Sequence, residues 1–269
     1  MDIHKGRGNA NKIMNRILAS AFQKFSFQLS SVDGGSLRNA IPRESVAELA
    51  IASDQLAGLT AFIGELAQIL KKENHTTDPN LVIDIQLIDA PAKVMDSDFQ
   101  NKFLRAIYAC PNGIYRMSPD IKDLVQTSNN LARVLIKDGT YTIQCLTRSA
   151  VDTEKMDLAQ SIQSSFELMG AKVSFAGSYP GWAPAPDAGI VKLMRSLYTE
   201  RYKESPMVNA CHAGLECGII GANYPETEMI SFGPNIHGAH SPDEKVQISS
   251  VQKFWGFLLE TLKRIPDGK

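Results

Sequence analysis

The sequence predicts an α/β protein: an α+β layer of antiparallel strands covered by helices, followed by a shorter segment of helices and apolar strands. Three observations carry this. Helical stripes and β-rich runs alternate through the first 178 residues. Asp138-Gly139 joins two β-rich runs, a two-residue hairpin signal. Periodicity then stops at SYPGWAPAPDAG, residues 178 to 189, where three prolines and two glycines mark a domain boundary.

Gly6 and Gly8 suit a tight turn into a helix over residues 9 to 25, whose stripe is Ile13, Ile17, Leu18, Ala21, Phe22 and Phe25. The run FSFQLSSVD reads as a strand leading into the glycine pair of DGGSLRNAIPRE, and SVAELAIA reads as a second strand. A long helix follows, striped by Leu56, Leu59, Phe62, Ile63, Leu66, Ile69 and Leu70, and then a strand LVIDIQLID. A helix from about Asp96 to Tyr108 precedes the hairpin NNLARVLIKDGTYTIQCLTR. A helix through Met156, Leu158, Ile162 and Phe166 and a strand AKVSFAG complete the block. Beyond the boundary come a helix (Ile190, Leu193, Met194, Leu197, Tyr198), a strand MVNACH, a glycine-rich turn and a strand EMISFG. A final helix is expected to bury Val251, Trp255, Leu258, Leu259 and Leu262. Apolar strands alternating with helices suggest parallel structure, but two strands make no self-sufficient doubly wound sheet.

With 43% hydrophobic residues in 269, the chain can fill two cores. Its 28 basic and 29 acidic residues nearly cancel, which argues against nucleic acid or an anionic membrane surface as partner. The four cysteines form no CxxC pair and are too sparse for a disulfide scaffold, so a reducing, cytoplasmic compartment is expected. The opening MDIHKGRGNANK has no apolar signal core, and nowhere do 18 apolar residues run together; a soluble protein is expected.

The loop GPNIHGAHSPDEKV, Gly233 to Val246, concentrates candidate chemistry. Ser241-Pro242-Asp243-Glu244 fits a capping box for the last helix, which accounts for Ser241, Pro242 and Glu244 but not for His237 or His240. A histidine after an apolar strand stands where α/β folds place ligands, and neutral imidazole binds zinc; the alternative is a surface histidine before a cap. The turn CHAGLECG, Cys211 to Gly218, matches no standard zinc spacing. It reads either as core cysteines around a turn or as a backbone approach to a ligand with Glu216 supplying charge. Arg148 ends the strand TIQCLTR, where its planar fork suits a carboxylate or simply sits in solvent. Asn39 could donate to an oxyanion or bond its own backbone.

Together GNANKIMNRIL, GGSLRNAIPRE, CLTRS, YPGWAP, HAGLECG and SFGPNIHGAHSPDEKV resemble, in order and spacing, the aminoacyl-histidine (Xaa-His) dipeptidases of the two-metal peptidase family that includes carnosinases, peptidase T and aminoacylases. The resemblance implies that residues 1–178 are a lid and homodimerisation domain and 179–269 the C-terminal part of a catalytic domain. It implies His240 as a metal ligand, held by one zinc of a pair, with manganese or cobalt as alternatives. It places Asn39 and Arg148 against the carbonyl and C-terminal carboxylate of a dipeptide, and Gly214, Leu215 and Glu216 in a turn lining the pocket, with His4 a weaker match. The HxD, bridging Asp, Glu-Glu and further Asp segments that carry the other ligands and the general base in that family do not occur in this sequence. One imidazole cannot hold two zinc ions, so the expectation is a metallodipeptidase portion inactive alone. The alternative is a non-catalytic module that dimerises or binds small peptides.

Overall fold

Strand β4 (Val125–Lys137) is the spine on which residues 1–178 assemble. The computed structural model describes residues 3–210, 216–238 and 243–265, and the chain divides into two compact units, 1–178 and 179–269.

The first unit contains a 3-10 turn Ile3–Lys5, then α1 (Ala10–Phe22), β1 (Phe27–Gly34), β2 (Ser45–Ile51), α2 (Ser53–Glu73), α3 (Ser97–Ala109), β3 (Gly113–Met117), β4, β5 (Thr140–Ser149) and α4 (Asp152–Glu167). One five-stranded antiparallel sheet results. Along one side β4 pairs with β5 from Thr127 to Lys137, closed by a tight turn in which both Asp138 and Gly139 have positive φ. Along its other side β4 is shared: β1 pairs with Val134–Ile136, and β3 pairs with 125–129. Helices α1 to α4 join Leu29, Leu131, Val134 and Ile136 of the sheet in one core, with Phe103, Leu70 and Leu158 deeply buried.

On the edge shared by β1 and β3 the backbone of Leu131 has no strand partner, while on the other edge it pairs with Cys145 of β5, whose register shifts just beyond it. Asparagine side chains take the strand's place. Leu131 N donates to Asn112 Oδ1 (2.9 Å), and Leu131 O accepts from Asn9 Nδ2 (3.1 Å) and Asn11 Nδ2 (3.3 Å). The same device completes β1, where buried Gln100 of α3 accepts from Leu29 N (2.7 Å) and donates to Phe27 O (3.1 Å). Asn9 also caps α1 by accepting from Lys12 N (3.2 Å). Lys12 in turn donates to the carbonyls of Ile107, Tyr108 and Cys110 at the C-terminal end of α3, a favourable place for a cation. Burial pushes its amine below the usual lysine range. Beside it the Cys110 and Cys145 sulfurs lie 3.8 Å apart as free thiols, and the hydrogen bond to Cys145 together with burial pushes the Cys110 thiol up.

The glycine pair has a steric cause. A Cβ on Gly34 would collide with Asn11 Oδ1 and lie 2.5 Å from Ser45 Oγ; Gly35 has φ +73° and its Cβ would collide with the Ala132 carbonyl. At the opposite end of the sheet Glu154, in the first turn of α4, accepts from Gln126 Nε2 (2.8 Å) and Thr127 Oγ1 (2.8 Å) and pairs with Arg116 (2.8 Å). The hydrogen bond from Gln126, then those from Thr127 and the Arg116 charge, hold its carboxyl below the usual range.

Several expected strands are not formed. Residues 81–89 and 171–177 are not strands: Leu81, Ile83, Ala171 and Val173 pack on the core, but no neighbouring edge pairs with their backbone. Conversely, β3 and the first residues of β4 lie where no strand was expected.

The second unit contains α5 (Gly189–Tyr202), α6 (Glu216–Asn223), a two-stranded ribbon of β6 (Ile236–His237) and β7 (Lys245–Val246), and α7 (Ile248–Arg264). Residues 207–210 and 228–233 are not strands, and part of the expected glycine-rich turn is α6. The core of Met194, Leu197 and Phe257 is joined by Ile190, Tyr198, Tyr202 and Ile230, and Tyr198 and Phe232 meet the Phe257 ring edge-on. That aromatic cluster selects the face of α7 that is buried. Phe257 and Thr261 point inward, whereas Val251, Trp255, Leu259 and Leu262, all expected to be buried, are exposed, Trp255 and Leu262 by more than half. The capping-box expectation also fails: α7 begins at Ile248 after Gln247, because Lys245-Val246 is taken up by the ribbon, so Glu244 is not at a third helical position.

Two outcomes follow. Gly34→Ala should cost about 1–3 kcal/mol by forcing aside the Asn11 amide, whose Nδ2 donates to both Leu131 O and Gly34 O, read as a lower urea midpoint at unchanged m. For Glu154, a depressed folded pKa stabilises the fold above the ordinary carboxylate range and is lost as pH falls through the folded value. Glu154→Gln should therefore melt lower than wild type at pH 7, with the gap closing on acidification in thermal scans at several pH values.

Candidate functional site

Two of the sequence-predicted residues come to one face of the β4–β5 sheet. Arg148, near the end of β5, stands opposite Ser128 of β4. Asn130 lies two residues further along β4, on the same face, because side chains alternate with period two and cross-strand partners share a face. Asn130 is buried, and its Nδ2 donates to Arg38 O (3.3 Å) and Ala40 O (2.7 Å). Asn39 sits between those two carbonyls, exposed, its side chain without a partner among the described residues. The expectation that Asn39 bonds its own backbone is thus not met; the loop is held instead through its neighbours.

Arg148 is half-buried, and its Nε is buried without a hydrogen-bond acceptor. No carboxylate pairs with it among the described residues. A buried guanidinium N–H left unpaired costs about 1–3 kcal/mol, a cost that an incoming carboxylate would remove by bonding in parallel to the planar fork. Below it Ser149 Oγ is fixed by Thr127 (2.7 Å) and by Val151 N (3.0 Å), so the strand end that carries Arg148 is anchored to the start of α4. The face therefore presents an unneutralised cation and a free amide on a rigid support, suited to a small ligand with a carboxylate and a carbonyl.

The other predicted residues lie elsewhere. His4 is exposed in the turn Ile3–Lys5, which packs against β3 and β4. Glu216 is exposed at the start of α6, where a negative charge suits the helix N-terminus. His237 is exposed on β6 opposite Lys245. His240, Gly214 and Leu215 fall outside the described residues. Among the described residues no three His, Cys, Asp or Glu side chains converge to hold a metal ion, so these residues do not fit a metal centre by themselves.

Sequence reading missed Asn130, Ser128, Thr127 and Ser149. A signal existed: TSNN is a run of four consecutive polar residues inside a strand whose remainder is mainly apolar, and such a run, where buried, requires partners.

A peptidase dimerisation domain matches residues 1–78. The cytosol non-specific dipeptidase of Escherichia coli (strain K12) is 38% identical over 265 residues, covering 98% of this chain and 55% of that protein. The crystal structure of aminoacylhistidine dipeptidase from Vibrio alginolyticus superposes with a TM-score of 0.92 at 39% identity, covering 100% of this chain and 55% of that one. The chain thus spans about half the length of the relatives it matches. In sequence and in fold it is similar to an aminoacylhistidine dipeptidase and a cytosol non-specific dipeptidase over that half.

Proposed function

We propose that this chain is the substrate-positioning and dimer-forming portion of a metal-dependent cytoplasmic dipeptidase. The observation that carries the reading is Arg148, a half-buried cation with an orphaned Nε on the same sheet face as the anchored Asn39 loop. Arg148 takes the C-terminal carboxylate of a dipeptide in two parallel bonds, which favours dipeptides over longer chains. Asn39 donates its amide to the scissile carbonyl and to the oxyanion that develops from it.

In this reading residues 1–178 are the lid and homodimerisation domain, supported by the dimerisation-domain match over 1–78, and residues 179–269 belong to the catalytic domain. By the same resemblance Gly214, Leu215 and Glu216 belong to a turn that contacts substrate, and His4 is a weaker match to a substrate-binding position. Metal dependence, with zinc first and manganese or cobalt as alternatives, rests on the resemblance and on His240 as ligand. With the remaining ligands supplied, a bound metal would offer carbonyl polarisation and an activated water.

The test compares dipeptides bearing a free C-terminal carboxylate with their C-terminal amides. The free acids should be cleaved about 10- to 100-fold better in kcat/KM, the worth of a charge-assisted pair of hydrogen bonds. Arg148→Ala should erase that preference and Arg148→Lys restore only part of it; a preference unchanged in Arg148→Ala overturns the assignment. Hydrolysis with added zinc should require this chain together with a segment carrying the remaining metal ligands. Activity of the purified chain by itself, abolished in His240→Ala, overturns the reading that it is inactive alone.

A further inference from the structure

We propose that Asn130 is a positioning residue for the reaction, acting through Asn39, an inference that rests on the proposed role of Asn39 as oxyanion donor. The loop Gly35–Pro42 is held at its ends by backbone groups and by Arg133: Gly35 N donates to Glu44 O (3.2 Å), Arg133 Nη1 donates to Gly35 O, and Ala10 N donates to Pro42 O (3.1 Å). Between those ends, over residues 36–41, Asn130 is the one side chain among the described residues that hydrogen-bonds the backbone, aided by the turn bond from Ala40 N to Leu37 O (3.2 Å). Its two acceptors, Arg38 O and Ala40 O, flank Asn39 on both sides. Fixing both neighbouring peptide units limits the directions in which the Asn39 side chain can leave the backbone.

The orientation of Asn130 also suits the amide of Asn9, whose Nδ2 is shared among Asn112 Oδ1 (3.0 Å), Leu131 O (3.1 Å) and Asn130 Oδ1 (3.3 Å). Asn9 Oδ1 accepts from Lys12 N as the cap of α1, so Asn9 presents its Nδ2 to Asn130 Oδ1 (3.3 Å). With its oxygen turned to Asn9, Asn130 turns its NH₂ to the loop carbonyls, which links the cap of α1, through two amides, to the peptide units that flank Asn39. An oxyanion donor works only when held where the negative charge develops, so loosening it should cost kcat far more than KM.

The experiment uses Asn130→Asp, nearly isosteric but without the donor, and Asn130→Ala as a second variant. Amide hydrogen exchange at residues 37–40 should quicken at least tenfold while exchange in β4 and β5 stays as in wild type. Unchanged exchange in the loop overturns the positioning. In the zinc-loaded protein that hydrolyses dipeptides, Asn130→Asp should lower kcat about tenfold with KM within twofold. In an Asn39→Ala background, the same change should have no further effect; equal losses in both backgrounds overturn the route through Asn39. If Asn39→Ala alone leaves hydrolysis unchanged, the oxyanion-donor reading falls, and the functional half of this inference with it, whereas the exchange measurement reports on the loop independently.

Discussion

Buried backbone groups need hydrogen-bond partners, and in this protein a break in the strand pairing along β4 decides where those partners come from. The edge of β4 is covered by β1 at one end and β3 at the other, leaving Leu131 between them. Water cannot reach a residue this deeply buried, so amide side chains fill the gap. Asn9 and Asn11 come from the start of α1 and Asn112 from just before β3, and their bonds tie that helix end and that loop to the N–H and C=O of one residue of β4. The close packing of Gly34 against Asn11 follows from the same constraint: the amide that reaches Leu131 leaves no space for a side chain on β1.

This arrangement links stability to the candidate site without a separate device. Lys12, one turn into α1, anchors the C-terminal end of α3, while Asn9 at its cap reaches Asn130 and, through it, the loop of Asn39. On the far side of Ser128, Thr127 and Ser149 join Glu154 in holding the strand ends beside Arg148. The two groups proposed to meet a dipeptide thus rest on polar networks from opposite directions, with Ser128 and Asn130 of β4 between them. A rigid support matters because a charged fork and an oxyanion donor act through position, and displacement of either removes most of its effect.

Local patterns in the sequence were enough to place most of the helices, the Asp138-Gly139 hairpin and the two strands beside the glycine pair, because capping, turn chemistry and side-chain period act over a few residues. Arg148 and Asn39 were legible as chemical types, but their shared face was not. Residues 81–89, 171–177 and 228–233 show why strand prediction overreached: apolar content favours extension, but a strand exists only where another edge accepts its hydrogen bonds. On α7 the apolar stripe was real and its buried face was misjudged, since the Tyr198, Phe232 and Phe257 rings decide which side turns inward.

The sequence by itself determined the α/β character of the chain, its near-neutral charge, the motifs shared with dipeptidases and the residue types able to bind a carboxylate. Tertiary structure alone decided that the asparagines of GNAN would serve as a substitute strand, that Cys110 and Cys145 would meet across 35 positions, and that Asn130 would hold the neighbours of Asn39. The reason is physical. Propensity and periodicity are properties of neighbours along the chain, whereas the demand for a hydrogen-bond partner is set by whatever the fold leaves unpaired, and that is known only once distant segments have come together.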